Sequence, residues 1–278
     1  MPSEPNPEDA ELDPAADGES LNEEEEVDPA YYANGGIIFS DDERGAFGDL
    51  TGKRVLHLTF GCSEEGPSLV NMGAHVTEAG DDGTTKALAE AAGLTIEFVD
   101  EAPAALSAEF CDTRAFDIVY SSYGAMDWIA DFDSWAEGVA AIIVPGGRLI
   151  VYDEHPFSYV FEADDAGKLV AASSYFGGFG DDTGGEFDEP TPQGVAADEA
   201  AMARIDDEEN VEADETGWTL GDLVGALGTH GLAVIDLQEF ETSERYETPL
   251  DRLAEEVDED ELAKVPSALL LVAVKMKA

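Results

Sequence analysis

The chain has 278 residues, with 64 Asp and Glu against 13 Lys and Arg, a formal net charge of −51. A charge of that size opposes a compact state through self-repulsion unless salt screens it. It also leaves no basic stripe of the kind that nucleic acid or an anionic membrane surface requires, so neither is an expected partner.

Hydrophobic residues make up 44% of the chain, enough for one α/β domain with extensions or for two small domains. Cys62 and Cys111 stand far apart, and His57, His75, His155 and His230 are scattered. Neither a disulfide framework nor a metal site is expected from such spacing. The first residues lack a basic region followed by an apolar run, so no secretory leader is expected. The longest apolar run, Ala268 to Val274, is far too short to span a bilayer. The expected location is the cytoplasm.

Residues 1–30 carry twelve acids and no base, the composition of a disordered acidic tail. The stretch YYANGG, Tyr31 to Gly36, reads either as an anchor packed on the domain or as a lid over a ligand. From Gly52 onward, apolar strands alternate with helical periods. Strands are predicted at 54–59, 75–79, 95–99, 116–121 and 148–154. Helices are predicted at 64–73, 83–92 and 132–144, the last capped near Asp131 or Asp133 and stopped by Pro145-Gly146-Gly147.

Residues 161–216 break this rhythm with seventeen acids and two bases, and read as an acidic insertion with one extra strand in KLVAASSYF. Order resumes with a helix at 219–229, a strand at 232–240 and a last apolar strand at 267–276. A short return through 249–264 places that last strand antiparallel beside its predecessor. The whole reads as a Rossmann-like, seven-stranded α/β sheet, mostly parallel, with an antiparallel last strand and helices on both faces.

Three stretches carry a resemblance. GKRVLHLTFGCSEEGPSLVNMGAHVT, FDIVYSSYGAMDWIADFDSWAEGVAAIIVPGGRLIVYDEHPF and WTLGDLVGALGTHGLAVIDLQEF resemble successive parts of the class I S-adenosylmethionine-dependent methyltransferase family. The acidity suggests a halophilic archaeal-type member, with residues 31–278 as the methyltransferase domain.

The resemblance implies S-adenosyl-L-methionine as cofactor and a cleft at the carboxyl ends of the strands. The implied cofactor-binding residues are His57, Gly61, Cys62 and Ser63 around the first turn. They continue with Glu78 and Asp81 near the end of the second strand, and Asp100 and Glu101 after the third. Ser121, Ser122 and Tyr123 follow the fourth strand.

Several positions depart from the family pattern. Thr59 and Ser63 stand where glycine is frequent, and Gly80 stands where an acid meets the ribose. Ala102 follows the third strand near the place of an adenine-binding acid. His57 reads either as part of the cofactor turn or as a core-facing strand residue, and Glu78 either as a ribose ligand or as a solvated acid.

Methyl transfer needs a base only when the nucleophile must lose a proton. His155 is the first candidate catalytic residue, with Asp153, Glu154 and Tyr123 beside it. His155-Pro156 reads equally as a structural turn. The expected acceptor is a small molecule that the sequence does not name, and oligomeric state is left open. The alternative is a methyltransferase-like scaffold that has lost catalysis and serves as a binding module. A nicotinamide-dependent oxidoreductase fits poorly, because the Gly-x-Gly-x-x-Gly turn is absent.

Charge screening gives the first test. Thermal melts in a KCl series are expected to show a midpoint that falls below ~1 M salt, where the Debye length exceeds roughly 3 Å. A midpoint independent of salt contradicts the expectation.

Overall fold

The computed structural model describes residues 27–59, 64–80, 83–113, 115–122, 124–164, 166–176, 217–243 and 245–277. Two short helices come first, α1 (Pro29–Ala33) and α2 (Asp41–Phe47). An alternating core follows: β1 (Arg54–Leu58), α3 (Glu65–Asn71), β2 (His75–Ala79), α4 (Thr84–Ala92), β3 (Glu97–Val99), α5 (Ala108–Thr113), β4 (Phe116–Ser122), α6 (Phe132–Ile142) and β5 (Ile143–Glu154). The chain then forms a small hairpin, β6 (Phe161–Ala163) with β7 (Leu169–Ala171). It ends with α7 (Leu220–Thr229), β8 (Leu232–Phe240), α8 (Glu259–Leu262) and β9 (Ala268–Lys275).

Seven strands form one sheet in the order β3-β2-β1-β4-β5-β9-β8. The pairings from β3 through β5 are parallel, and β9 runs antiparallel to both β5 and β8. Alternating side chains divide the sheet into two buried faces. Leu56, Leu58, Val119, Leu149 and Val151 pack with Trp135, Val139, Leu223 and Leu227 of α6 and α7. On the opposite face Val55, Val76, Ile118, Tyr120 and Ile150 pack with Phe39, Phe47, Leu50 and Leu69.

The predicted strands and long helices are present, with shifted ends. β5 begins at Ile143, five residues before the predicted start. Ile143 pairs with Phe116 and Arg148 with Ile118, so Pro145-Gly146-Gly147 is absorbed into an irregularity of the strand. Gly146 supplies the left-handed backbone there, at φ +84°. The sequence reading missed strand β6 and the helices α1, α2 and α5.

These helices are too short for a hydrophobic period and are defined by their caps. Asp28 accepts from Ala30 N at 2.8 Å, and Pro29 opens α1 inside the segment read as tail. Ser40 and Glu43 form a capping box on α2. Ser107 Oγ accepts from Phe110 N at 3.2 Å at the start of α5. Of the pair Tyr31-Tyr32, Tyr32 anchors: it is buried, and its hydroxyl donates to Glu64 at the start of α3, whereas Tyr31 is exposed.

The second face also buries charge. Arg245, between β8 and β9, reaches Glu43 of α2 at 2.5 Å and pairs with Glu65 of α3. Its Nη1 is 3.1 Å from the Tyr120 hydroxyl, which donates to Glu43 Oε1 at 2.9 Å. The guanidinium also lies over Phe39, 5.2 Å from the ring centroid.

Removing one member of a buried ion pair leaves the other uncompensated, at a cost of ~3–5 kcal/mol. Arg245→Ala is expected to lower folding stability by about that amount in denaturant melts at high salt. A loss below about 1 kcal/mol, the range of an exposed pair, counts against this network as a structural clasp.

Candidate functional site

After β1 the chain builds outward through β2 and β3, and after β4 it builds the other way through β5. The sheet therefore changes direction between β1 and β4. In open α/β sheets a crevice forms outside the carboxyl ends of the strands at such a point. Of the residues expected there, Gly61, Cys62, Ser63, Asp81 and Tyr123 lie outside the described residues, as does the rest of the first turn.

His57 is fully buried, and register sets it between Glu78 on β2 and Tyr120 on β4. Its ring stacks on Tyr120 with centroids 5.4 Å apart. His57 Nε2 is 3.3 Å from Ser122 Oγ, and Ser122 Oγ donates to Glu65 Oε1 at 3.2 Å. A hydroxyl has one proton, so with Ser122 donating to Glu65 its oxygen is left to accept from His57 Nε2. His57 Nδ1 lies 3.5 Å from Glu78 Oε2. A polar chain thus runs from His57 through Ser122 and Glu65 to Arg245, within the core, with Glu78 beside its end but not hydrogen-bonded to it.

Glu78 is fully buried, not a solvated acid. Its carboxylate presses on α3, where a Cβ at Gly66 would meet Glu78 Oε2 at 2.3 Å. Asp100 is exposed at the end of β3. Glu101 binds Ser107 N at 2.9 Å and Ser107 Oγ at 2.8 Å, which holds the approach to α5. Ser121 is buried at the end of β4.

His155 is buried just past β5. Its Nδ1 accepts from Phe157 N at 3.1 Å, and its Nε2 lies 3.0 Å from Glu239 Oε1. Burial holds its pKa below the usual imidazole value, against the pull of Glu239. Nδ1 is thus held by the turn, while Nε2 lies near Glu239 without a hydrogen bond among the described residues.

Asp153 is also buried and accepts from Gly124 N at 2.5 Å, Met126 N at 3.0 Å and Glu154 N at 2.8 Å. It shapes the segment after β4. Burial pushes its carboxyl well above the ordinary range, with repulsion from Asp127 and Glu154 adding to it.

Glu154 stands differently. It ends β5, and Tyr159 donates toward its Oε2. The same hydroxyl is 2.7 Å from Asp127 Oδ2, and Trp218 Nε1 donates to Asp127 Oδ1 at 2.7 Å. One phenolic proton thus serves two carboxylates. Burial raises the Glu154 pKa from 4.5 to about 7, opposed by the Tyr159 hydrogen bond and assisted by Asp127. Sequence reading named Glu154 but missed Asp127, Tyr159 and Trp218, because the contacts span 32 and 91 residues along the chain.

No protein-family model and no curated protein sequence matches this chain. Solved structures do. An S-adenosylmethionine-dependent methyltransferase from Mesorhizobium loti is 21% identical, with a TM-score of 0.51, covering 83% of this chain and 94% of its own. A methyltransferase of the same cofactor class from Clostridium acetobutylicum is 14% identical over 91% of this chain and 94% of its own, with a TM-score of 0.49. The likeness to the first establishes a shared fold: the seven-stranded, Rossmann-like methyltransferase sheet.

The Glu154 carboxyl sets a pH dependence. Between its unfolded value, 4.5, and its folded value, about 7, the folded chain keeps a proton that the unfolded chain releases. Stability from this group is complete below about pH 4.5 and is lost as pH rises through about 7. Against Glu154→Gln, the wild type is expected to lose about 3 kcal/mol over that window. Parallel stability curves for the two proteins contradict the assignment.

Proposed function

We propose that this chain is an S-adenosylmethionine-dependent methyltransferase acting on a small-molecule acceptor. The observation that carries the reading is the sheet order, with its switch between β1 and β4 and an antiparallel β9 inserted between β5 and β8. The proposed domain is residues 31–278, working in a salt-rich cytoplasm.

The fit to the cofactor differs from end to end. The turn after β1, with Gly61, Cys62 and Ser63, is assigned to the methionine end by the sequence pattern alone. Asp100, exposed just past β3, is assigned to the adenine end by the sequence pattern alone. At the end of β2, position 80 carries no side chain, and Glu78 is turned into the core. When bound, the cofactor supplies an activated methyl group on a sulfonium.

The protein's part is to align the acceptor and, for a protonated nucleophile, to take up a proton. Glu154 is best suited to the second task, since a base is most effective when its pKa lies near the working pH. Tyr159 and Asp127 connect it toward solvent. The surface charge favours an acceptor that is not a polyanion.

A scaffold without catalysis is the second reading, favoured by Gly80 and by the burial of Glu78 and His57. Calorimetric titration with S-adenosylhomocysteine in molar KCl separates the two. Saturable heat with one site per chain and a rise in thermal midpoint are expected. Absence of both sinks the cofactor reading.

A further inference from the structure

One carboxylate gathers three connections at the carboxyl edge of the sheet. Asp127 lies in the turn Met126–Trp128, after β4. Its Oδ1 accepts from the indole of Trp218, just before α7, at 2.7 Å. Its Oδ2 accepts at 2.7 Å from the hydroxyl of Tyr159, in the turn Ser158–Val160 after β5. Trp218 is buried, with its ring 5.7 Å from that of Phe132, so this end of the group is fixed by packing. Tyr159 also meets Glu154 Oε2 at the end of β5.

Protons decide how well this group is satisfied. A phenol donates one hydrogen bond, and an ionised carboxylate only accepts. With both acids ionised, Tyr159 serves one of them and the other faces it unpaired. One added proton completes the line: Glu154 donates to Tyr159, and Tyr159 donates to Asp127. The other groups facing Glu154 are its neighbour Asp153 and, from the connection between β8 and β9, Tyr246, Asp251 and the exposed Arg252. Arg252 favours the ionised form, and Asp127 and Asp251 oppose it.

We propose that Glu154, Tyr159 and Asp127 form a proton-operated latch. With a proton on Glu154, the turn after β5 is held to the turn after β4 and, through Asp127, to Trp218. Loss of that proton releases the turn after β5. The release falls near pH 7, because burial raises the Glu154 carboxyl from 4.5 to about 7. His155, in the same turn, acts with the opposite sign. Its Nδ1 accepts from Phe157 N, a bond that a proton on Nδ1 removes. Acid therefore tightens the turn through Glu154 and loosens it through His155. The latch needs no bound cofactor, so it stands apart from the methyltransferase reading.

The test is hydrogen–deuterium exchange of the full chain in molar KCl, from about pH 5.5 to about pH 8.5, corrected for intrinsic exchange. The reporters are the amides of Val160 and Ala172, which donate to Phe157 O at 3.2 Å and to Val160 O at 2.8 Å. Measured against amides of β4, their protection is expected to fall about tenfold as pH rises through ~7, the equivalent of one hydrogen bond to a charged group. Glu154→Gln keeps a donor facing Tyr159 at every pH, and is expected to keep the acid-form protection throughout. Tyr159→Phe is expected to show low protection throughout.

Wild-type protection that is flat, or that rises with pH, overturns the proposal, and this measurement needs no variant to fold. A fall in Glu154→Gln equal to that of the wild type overturns it too. So does a Tyr159→Phe protein with the wild-type profile.

Discussion

The fold depends on one guanidinium buried among carboxylates. Arg245 comes from the connection between β8 and β9, yet it holds Glu43 of α2 and Glu65 of α3. It thereby ties the start of the domain, the helix after the first turn and the end of the chain to one face of the sheet. In a protein of net charge −51, buried acids are costly and cations scarce. Arginine suits the place because its planar fork meets several acceptors at once.

From that clasp the polar chain continues through Ser122 to His57, with Glu78 beside it, directly beneath the carboxyl edge of β1, β2 and β4. The crevice is therefore supported from below by charged and hydroxyl groups rather than by aliphatic packing alone. Such a network fixes strand ends most firmly where its members are paired, and His57 Nδ1 and both Glu78 oxygens have no hydrogen-bond partner among the described residues. It also explains why His57 and Glu78, which stand at cofactor positions by sequence, are turned inward. Each is the other's neighbour across the β1-β2 register.

The two sides of the crevice differ. On the β2 side, Gly80, Thr59 and Pro103 form a tight backbone junction. On the β5 side, the Tyr159 hydroxyl links Asp127 to Glu154, whose pKa burial raises to about 7. Asp153 lies behind both as a scaffold, with three backbone N–H groups directed at its carboxylate.

Much of this architecture was legible in the chain. The alternation of apolar strands with helical periods, the turn residues and the closing apolar run specify a seven-stranded sheet with an antiparallel last strand. The reason is that hydrophobic period and turn chemistry are local properties. The fates of individual polar residues were not legible. Glu78 as a core acid, Asp153 as a backbone anchor and Arg245 as a clasp depend on partners 21, 29 and up to 202 residues away. With 64 acids in the chain, no local pattern marks which few will be buried. Sequence alone determined the sheet and the place of its crevice. Only the tertiary structure decided which carboxylates are buried and what they pair with, because burial and pairing are set by contacts that no short stretch contains.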